Sequence, residues 1–282
     1  MDNNKVQIIT PGLYLISTPI GNMEDITYRA LNILKKSDFI LCEDTRRSGK
    51  LLSHYKIKNK LIAYHKFNEQ KVSDKIKDLI KNNKIISLIT DAGTPAISDP
   101  GITLVNKCID ADLIVCPIPG ASSITSAISI SGFSDQHLFY GFLPKKTGEL
   151  EMVLNKLVNL NYSLVFFIPA KKINFYLSYF KKYFFDRKIV IAKEMTKIHE
   201  EFIRSKVQSI ENFQSNFKGE LTVVLSKKIM LKNVKKEITE SVRIEIKQML
   251  KKYSHKDVVE YISKKENLSK KLIYKYCLEL KK

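Results

Sequence analysis

The chain of 282 residues has few cysteines, no tryptophan and no long apolar segment. Its four cysteines show no C-x-x-C spacing and two lie in strand-like apolar runs, so buried free thiols in a reducing compartment are expected rather than disulfides. No apolar run approaches the roughly 18 residues that span a bilayer, and residues 1–10 lack the basic-then-apolar order of a secretory signal. These absences predict a soluble, cytoplasmic protein without a membrane partner.

Several motifs that mark common chemistries are also missing. The chain contains neither G-x-G-x-x-G nor G-x-x-x-x-G-K-[ST], so neither a dinucleotide nor a P-loop nucleotide is favoured. It has no H-E-x-x-H, and its five histidines are scattered without ligand spacing, so we expect no metal site. G-x-S-x-G is absent too, which removes the simplest hypothesis of acyl transfer.

What the chain does contain is three turn-forming strings, each placed directly after an apolar run typical of a buried strand. They are TPIGN at 18–22, DAGTP at 91–95 and PGASS at 119–123. Each string is followed by a segment with helical periodicity. If the three strands lie parallel in one sheet, all three bends emerge at its carboxyl edge, where open α/β sheets bind ligands. The pattern therefore predicts a small molecule held by backbone groups.

Strand and helix patterns alternate along most of the chain, which predicts two α/β domains. Domain one, 1–118, should be a doubly wound parallel sheet with right-handed crossovers. Its strands are predicted at 13–17, 39–42, 61–63, 85–90 and 113–117, and its helices at 26–36, 69–82 and 102–111. Domain two, 119–229, begins with a small-residue helix at 121–131. Its strands are predicted at 138–140, 163–168, 189–192 and 221–225, and its helices at 149–159 and 173–183.

The last part of the chain, 230–282, is predicted to be a basic helical module behind a linker at 227–236. Ser254 and Asp257 have capping-box spacing, and Ser269 is positioned to cap the last helix. The net charge is +19, and the tail alone holds 15 basic and 7 acidic residues. Its size and charge suit a module that binds nucleic acid. An appendage for packing or dimerisation remains the alternative.

Two aspartates follow the predicted fourth strand. Asp91 between a strand and a glycine turn suits either a turn former or a ligand contact, and its place at the loop-bearing edge favours the ligand. Asp99, in an Asp-Pro-Gly string, is expected to cap the helix from Ile102, with Pro100 in the first helical position.

Ordered strings along nearly the whole chain closely resemble the ribosomal RNA small-subunit methyltransferase I family of the tetrapyrrole-methylase superfamily. They are LYLISTPIGNMEDITYRAL, EDTR, HKFNE, LITDAGTPAISDPG, PIPGASS, YGFLPKK, KEMTK and KGELTVVL. The resemblance implies two α/β domains of tetrapyrrole-methylase type with the cofactor cleft between them, in a protein that forms a homodimer. It implies transfer of a methyl group from S-adenosylmethionine to the ribose 2′-oxygen of decoding-centre cytidine 1402 in 16S rRNA.

The bends and the resemblance together give a set of expected site residues. For the cofactor they are Pro19, Gly21, Asp91, Ala92, Gly93, Thr94, Ala121, Ser122, Ser123, Phe167, Ile168, Met195, Gly219 and Glu220. Candidates for removing or orienting the hydroxyl proton are Asp44, His65 and Glu69, although Glu43-Asp44-Thr45 could simply cap a helix that starts near Arg46. Expected RNA contacts are Arg46, Lys145, Lys270, Lys271 and Lys275. Because a sulfonium loses its charge on reaction, we expect one modest carboxylate in the pocket rather than an anionic cage.

One loop departs from the family pattern. Family members usually carry Glu-Ser/Ala-Pro-His-Arg after the strand at 164–167, whereas this chain reads Ile-Pro-Ala-Lys-Lys at 168–172.

Two other functions remain possible from the sequence. One is a methyltransferase of a tetrapyrrole or another small metabolite, and the other is a non-catalytic RNA-binding protein that acts in ribosome assembly.

Overall fold

A computed structural model describes residues 9–214, 219–228, 237–266 and 268–280 of the chain. The chain divides into two compact units, Met1–Lys228 and Ile229–Lys282. Positions 229–236 of the predicted linker lie outside the described residues, and the predicted boundary between 118 and 119 stays a proposal. Within the described ranges, no helix is long and apolar enough to cross a membrane. All four cysteines are free thiols, and three of them are buried.

The first sheet of the larger unit has five parallel strands in the order β3-β2-β4-β1-β5, which confirms the predicted parallel architecture. Its strands are β1 Gly12–Ile16, β2 Phe39–Cys42, β3 Leu61–Ala63, β4 Ile85–Leu88 and β5 Val115–Ile118. Its helices are α1 Tyr28–Lys36, α2 Thr45–His54, α3 Glu69–Lys81 and α4 Ile102–Ile109. Each strand is a nearly continuous run of apolar residues, because helices cover both faces of this sheet. Leu13 packs towards α3 and α4, whereas its neighbour Tyr14 packs towards α1 and α2.

The predicted cap of α4 is wrong. The residue before the helix is Gly101, and Pro100 lies outside it. The Asp99 carboxylate instead accepts a hydrogen bond of 2.8 Å from the Thr90 hydroxyl, at the end of β4. Asp99 is therefore held at the loop-bearing edge of the sheet rather than at a helix terminus.

The second sheet is mixed, in the order β6-β7-β10-β8-β9, with β6 and β7 parallel and the other pairs antiparallel. Its strands are β6 His137–Phe142, β7 Ser163–Pro169, β8 Lys188–Lys193, β9 Glu201–Lys206 and β10 Glu220–Leu225. Helices α6 Thr147–Leu157 and α7 Ile173–Tyr183 cover one face, and α5 Ser123–Ser131 packs on the other. The small-residue helix was predicted, and buried Ala127 shows why small side chains are needed there. Strand β9, a half-exposed edge strand, was not predicted from the sequence.

A buried arginine ties the ends of this second sheet together. The side chain of Arg187 is 1% exposed, and its two terminal nitrogens donate to four backbone carbonyls. These carbonyls belong to Tyr162, Ser226, Val158 and Leu160. Burial lowers the pKa of the guanidinium. Since each carbonyl would lack a partner without it, Arg187 fixes the entry to β7 against the end of β10.

The smaller unit contains three helices in its described residues, α8 Glu240–Met249, α9 His255–Glu266 and α10 Lys270–Glu279. They bury one apolar cluster that includes Ile246, Ile262 and Ile273. The Ser254 hydroxyl accepts a hydrogen bond from the Asp257 amide, so the predicted serine cap is confirmed, whereas the Asp257 carboxylate accepts from the Ser254 hydroxyl rather than from its amide. Ser269 precedes α10 as predicted, but its side chain forms no capping bond.

Candidate functional site

Two of the three predicted bends are joined directly by their backbones. Since β1 lies between β4 and β5 and all three are parallel, the bends share the carboxyl edge of the sheet. The Thr18 amide donates to the Gly93 carbonyl at 2.9 Å, and the Gly93 amide donates to the Thr18 carbonyl at 3.0 Å. Gly93 has φ +86°, which a side chain would strain. This bridge holds DAGTP against TPIGN.

The third bend is fastened to the other two. The hydroxyls of Ser17 and Thr94 are hydrogen-bonded at 2.9 Å, and the Thr94 hydroxyl also lies 3.4 Å from the Ala121 carbonyl, to which it donates. A Cβ on Gly120 would lie 2.9 Å from the Ser17 Cβ, so glycine alone permits this approach of PGASS to β1. The three bends therefore form one hydrogen-bonded rim.

A loop of the second sheet closes against the first bend. The Asn22 amide donates to the Thr196 hydroxyl at 2.9 Å, and a Cβ on Gly21 would lie 2.5 Å from the Lys197 side chain. Glu194 and Thr196 have φ of +49° and +64°, conformations that non-glycine residues adopt at a cost. This strained turn after β8 places Met195 opposite the rim.

Between the rim and the second sheet lies a cavity of about 450 Å³. This volume lies within the range of sites for small molecules and cofactors. Both sheets supply its walls. The lining residues are Ile20, Glu43, Arg47, Thr90, Asp91, Ala92, Gly93, Thr94, Ile97, Ser98, Asp99, Ser122, Ser123, Ile124, Phe142, Phe167, Ala192, Glu194, Met195, Lys197, Glu220 and Thr222.

Most of the residues expected to bind the cofactor line this cavity. They are Asp91, Ala92, Gly93, Thr94, Ser122, Ser123, Phe167, Met195 and Glu220. Pro19 and Gly21 do not line it but flank Ile20, which does, and Ala121 contacts the rim through its carbonyl. The Ile168 side chain packs in the core on the opposite face of β7, and Gly219 precedes Glu220 with φ +78°. The cofactor roles themselves stay predictions.

The three candidate residues for proton removal lie outside the lining. The Asp44 carboxylate caps α2, accepting from the Arg46 amide at 2.8 Å and pairing with the Arg46 guanidinium at 3.0 Å. These bonds lower the pKa of Asp44 to about 2. Glu69 begins α3, and His65 has a buried Nδ1 without a hydrogen-bond partner among the described residues. The capping alternative for Asp44 is thus confirmed, and catalytic roles for the three stay predictions.

The expectation of a single carboxylate in the pocket is wrong, because five carboxylates and two cations line the cavity. Burial raises the pKa of Asp99 and of Glu220. Burial, with the charges of Asp91 and Asp99, raises the pKa of Glu43. The cations are already paired, Arg47 with Asp91 at 2.8 Å and Lys197 with Glu194 at 3.0 Å.

The sequence contains signals for three lining residues that were not predicted, Glu43, Glu194 and Lys197. Glu43 directly follows β2, at the same sheet edge as Asp91, so the rule that located the bends applies to it as well. Glu194 and Lys197 flank Met195 in KEMTK at 193–197, one of the strings that carry the family resemblance, so the position of Met195 was a signal for them too.

Asp91 has an unused acceptor. Its Oδ2 binds Arg47, whereas its Oδ1 is buried and has no hydrogen-bond partner among the described residues. A buried carboxylate oxygen without a donor is costly. A ligand that brings a donor or a positive charge into the cavity would satisfy it.

The residues expected to contact RNA are all solvent-exposed. The Arg46 side chain is 88% exposed beside the cavity-lining Arg47, and Lys145 follows β6. Lys270, Lys271 and Lys275 lie on α10 of the smaller unit. Exposure suits contact with phosphate, and their roles stay predictions.

Comparison with known proteins gives concordant matches. The family model of Tetrapyrrole (Corrin/Porphyrin) Methylases matches residues 12–211. A "Ribosomal RNA small subunit methyltransferase I" of Rickettsia prowazekii (strain Madrid E) is 41% identical over 95% of this chain and 96% of its own length. A protein of the same name from Thermotoga maritima is 42% identical over 77% of this chain and 98% of its own length.

Solved structures share the fold at low identity. The methyltransferase CobJ superimposes with a TM-score of 0.59 at 12% identity, covering 77% of this chain and 94% of that one. Uroporphyrin-III C-methyltransferase from Thermus thermophilus, complexed with S-adenyl homocysteine, gives 0.52 at 13% identity, with coverage of 76% and 97%. The chain therefore belongs to the tetrapyrrole (corrin/porphyrin) methylases and, within them, to the ribosomal RNA small subunit methyltransferase I family.

Proposed function

We propose that this methyltransferase transfers a methyl group from S-adenosylmethionine to the ribose 2′-oxygen of a decoding-centre cytidine in 16S rRNA. The observation that carries the proposal is the cavity on the hydrogen-bonded rim, with the unpaired Asp91 oxygen beside it. Relatives about 40% identical over most of their length carry a ribosomal RNA methyltransferase name, which outweighs the small-metabolite alternative. We place the protein in the cytoplasm, as a homodimer acting on 16S rRNA or the small ribosomal subunit.

The cavity suits a positively charged donor. S-adenosylmethionine would bring a sulfonium and an ammonium group, and the lining has more carboxylates than cations. The ammonium or a ribose hydroxyl could donate to Asp91 Oδ1, which lacks a partner among the described residues. Gly93 and Ala121 present backbone with little or no side chain, so an adenosine can approach closely.

The main contribution of the protein to catalysis should be positioning. The donor supplies a methyl group on a positively charged sulfur, which an oxygen nucleophile must approach in line with the departing sulfur. Holding two bound reactants in attack geometry can contribute roughly 7 to 11 kcal/mol. The rim holds one reactant against the first sheet, and the turn at Met195, with Phe167, limits its movement from the second sheet.

The RNA is expected to bind through exposed basic residues. Arg46 and Lys145 belong to the larger unit, and the α10 lysines belong to the smaller one. Lys171 and Lys172, exposed at the loop that departs from the family pattern, offer charge but lack the bidentate geometry of arginine. We expect the α10 lysines to strengthen RNA binding together with these residues of the larger unit.

A ribose-methylation map tests the function itself. Small-subunit RNA from cells with and without this protein should differ at one decoding-centre cytidine, which loses its 2′-O-methyl group when the protein is missing. Re-expression of the chain should restore the mark. An unchanged map, or a change confined to another class of molecule, would refute the proposal.

Replacing Asp91 with Asn tests the donor site. The change keeps the shape of the side chain but removes its charge, and we expect S-adenosylmethionine to bind about 10- to 100-fold more weakly, because a charged hydrogen bond contributes roughly 1.5 to 3 kcal/mol. Titration calorimetry gives the affinity. Asp110→Asn, at an exposed position outside the cavity, is the matched control. Equal affinities in the two variants would contradict the placement of the donor.

The α10 lysines are tested by a triple change of Lys270, Lys271 and Lys275 to Gln. We expect weaker binding to a decoding-region fragment of 16S rRNA, and a slope of log affinity against log salt that is smaller by about 2, since each lost phosphate contact removes about 0.7 to 0.9. Fluorescence anisotropy at several salt concentrations measures both. The control changes three exposed lysines of α3, which are Lys71, Lys75 and Lys81. If both triples alter the slope equally, net charge rather than α10 binds the RNA.

A further inference from the structure

The five carboxylates of the cavity differ in the ion pairs and hydrogen bonds that they already form within the protein. Asp91 is paired with Arg47, Asp99 accepts from Thr90, and Glu194 is paired with Lys197. A carboxylate oxygen that already binds a cation or a hydroxyl is less available to accept a hydrogen bond from a substrate hydroxyl. These three are therefore suited to fixing the shape and charge of the site.

The other two carboxylates, Glu43 and Glu220, accept no hydrogen bond from the residues that the structure describes. Glu220 opens β10 in the second sheet, among residues expected to contact the donor. Glu43 directly follows β2 of the first sheet, at an exposed position four residues before Arg47, whose side chain is 71% exposed. A polymer substrate that reaches the cavity from solvent would meet Glu43 together with an accessible cation for its phosphate.

The charges around Glu43 come from three directions. Burial is the largest influence that raises the pKa of Glu43, and the charges of Asp91 and Asp99, both following β4, raise it further. Arg47 of α2 and His65, which follows β3, act in the opposite direction and do not cancel that rise. A carboxylate with a raised pKa accepts a proton more readily than an ordinary glutamate, and general bases work best when their pKa lies near the working pH.

We propose that Glu43 accepts the proton of the ribose 2′-hydroxyl during methyl transfer, an inference that rests on the proposed function. As the oxygen–methyl bond forms, the methyl–sulfur bond breaks and its electron pair stays on sulfur, leaving a neutral thioether. The hydroxyl proton passes to the Glu43 carboxylate, so atoms and charge balance. Arg47 holds Asp91 and is placed to neutralise an adjacent phosphate.

The same geometry explains why the earlier candidates are less suited. The Asp44 carboxylate caps α2 and is bonded to Arg46, with its pKa lowered to about 2, so it is a poor base. Neither His65 nor Glu69 lines the cavity. His65 is instead one of the charges that act on Glu43.

The test compares Glu43→Gln, Glu43→Asp and the wild type in single-turnover methylation of small ribosomal subunits that lack the mark, at saturating S-adenosylmethionine and over a range of pH. Glu220→Gln serves as the competing candidate, and Glu211→Gln, at an exposed position outside the cavity, as the matched control. Donor affinity of every variant is measured by calorimetry, which also reports whether the site is folded.

We expect Glu43→Gln to lower the rate by about 100-fold or more, the lower end of the range for loss of a general base, with donor affinity within about twofold of the wild type. The wild-type rate should rise with pH until Glu43 is ionised, since the protonated acid cannot accept a proton. Glu43→Asp should keep this acidic limb at a reduced rate, and Glu43→Gln should lose it.

Several results would overturn the inference. They are a near-normal rate or an unchanged acidic limb in Glu43→Gln, a loss of donor binding in that variant, or a loss of rate in Glu220→Gln alone. A wild-type protein that binds the donor but leaves the ribose unmethylated would instead overturn the proposed function, and the assignment of Glu43 with it.

Discussion

The backbone bridge between Thr18 and Gly93 is the contact on which the site depends. It joins two bends from neighbouring parallel strands, and the hydroxyl of Thr94 extends the connection to the third bend at Ala121. Both glycines involved are required for reasons of space or conformation, Gly93 by its positive φ and Gly120 by its approach to Ser17. Three separate loops thereby become one hydrogen-bonded rim, which presents its backbone groups to a small molecule from fixed relative positions.

The charged side chains that line the cavity also suit a ligand held at the rim. An excess of carboxylates attracts a cationic donor, yet strong stabilisation of the sulfonium would raise the barrier to its reaction. The structure moderates this effect by pairing Asp91 with Arg47 and Glu194 with Lys197. Two of the five carboxylates are therefore balanced by cations, which reconciles the composition of the cavity with methyl transfer.

The sequence predicted the first sheet well because its strands are continuous apolar runs that end at glycine turns, and it located the bends for the same reason. It missed β9, whose alternation of exposed and half-buried residues gives a weak signal. It also misjudged Asp99, since a local Asp-Pro-Gly pattern resembles a cap while the actual partner is Thr90. Glu194 and Lys197 were missed although Met195 between them was predicted, because only the packing of one sheet against the other shows that their side chains also reach the cavity.

A crystal structure of the protein with S-adenosylhomocysteine tests the central claim most directly. The rim predicts density for the nucleoside in the cavity between Gly93, Ala121 and Met195, with a donor atom of the ligand within hydrogen-bond distance of Asp91 Oδ1. Density elsewhere on the protein, or a ligand in the cavity that leaves the three bends untouched, would contradict the claim.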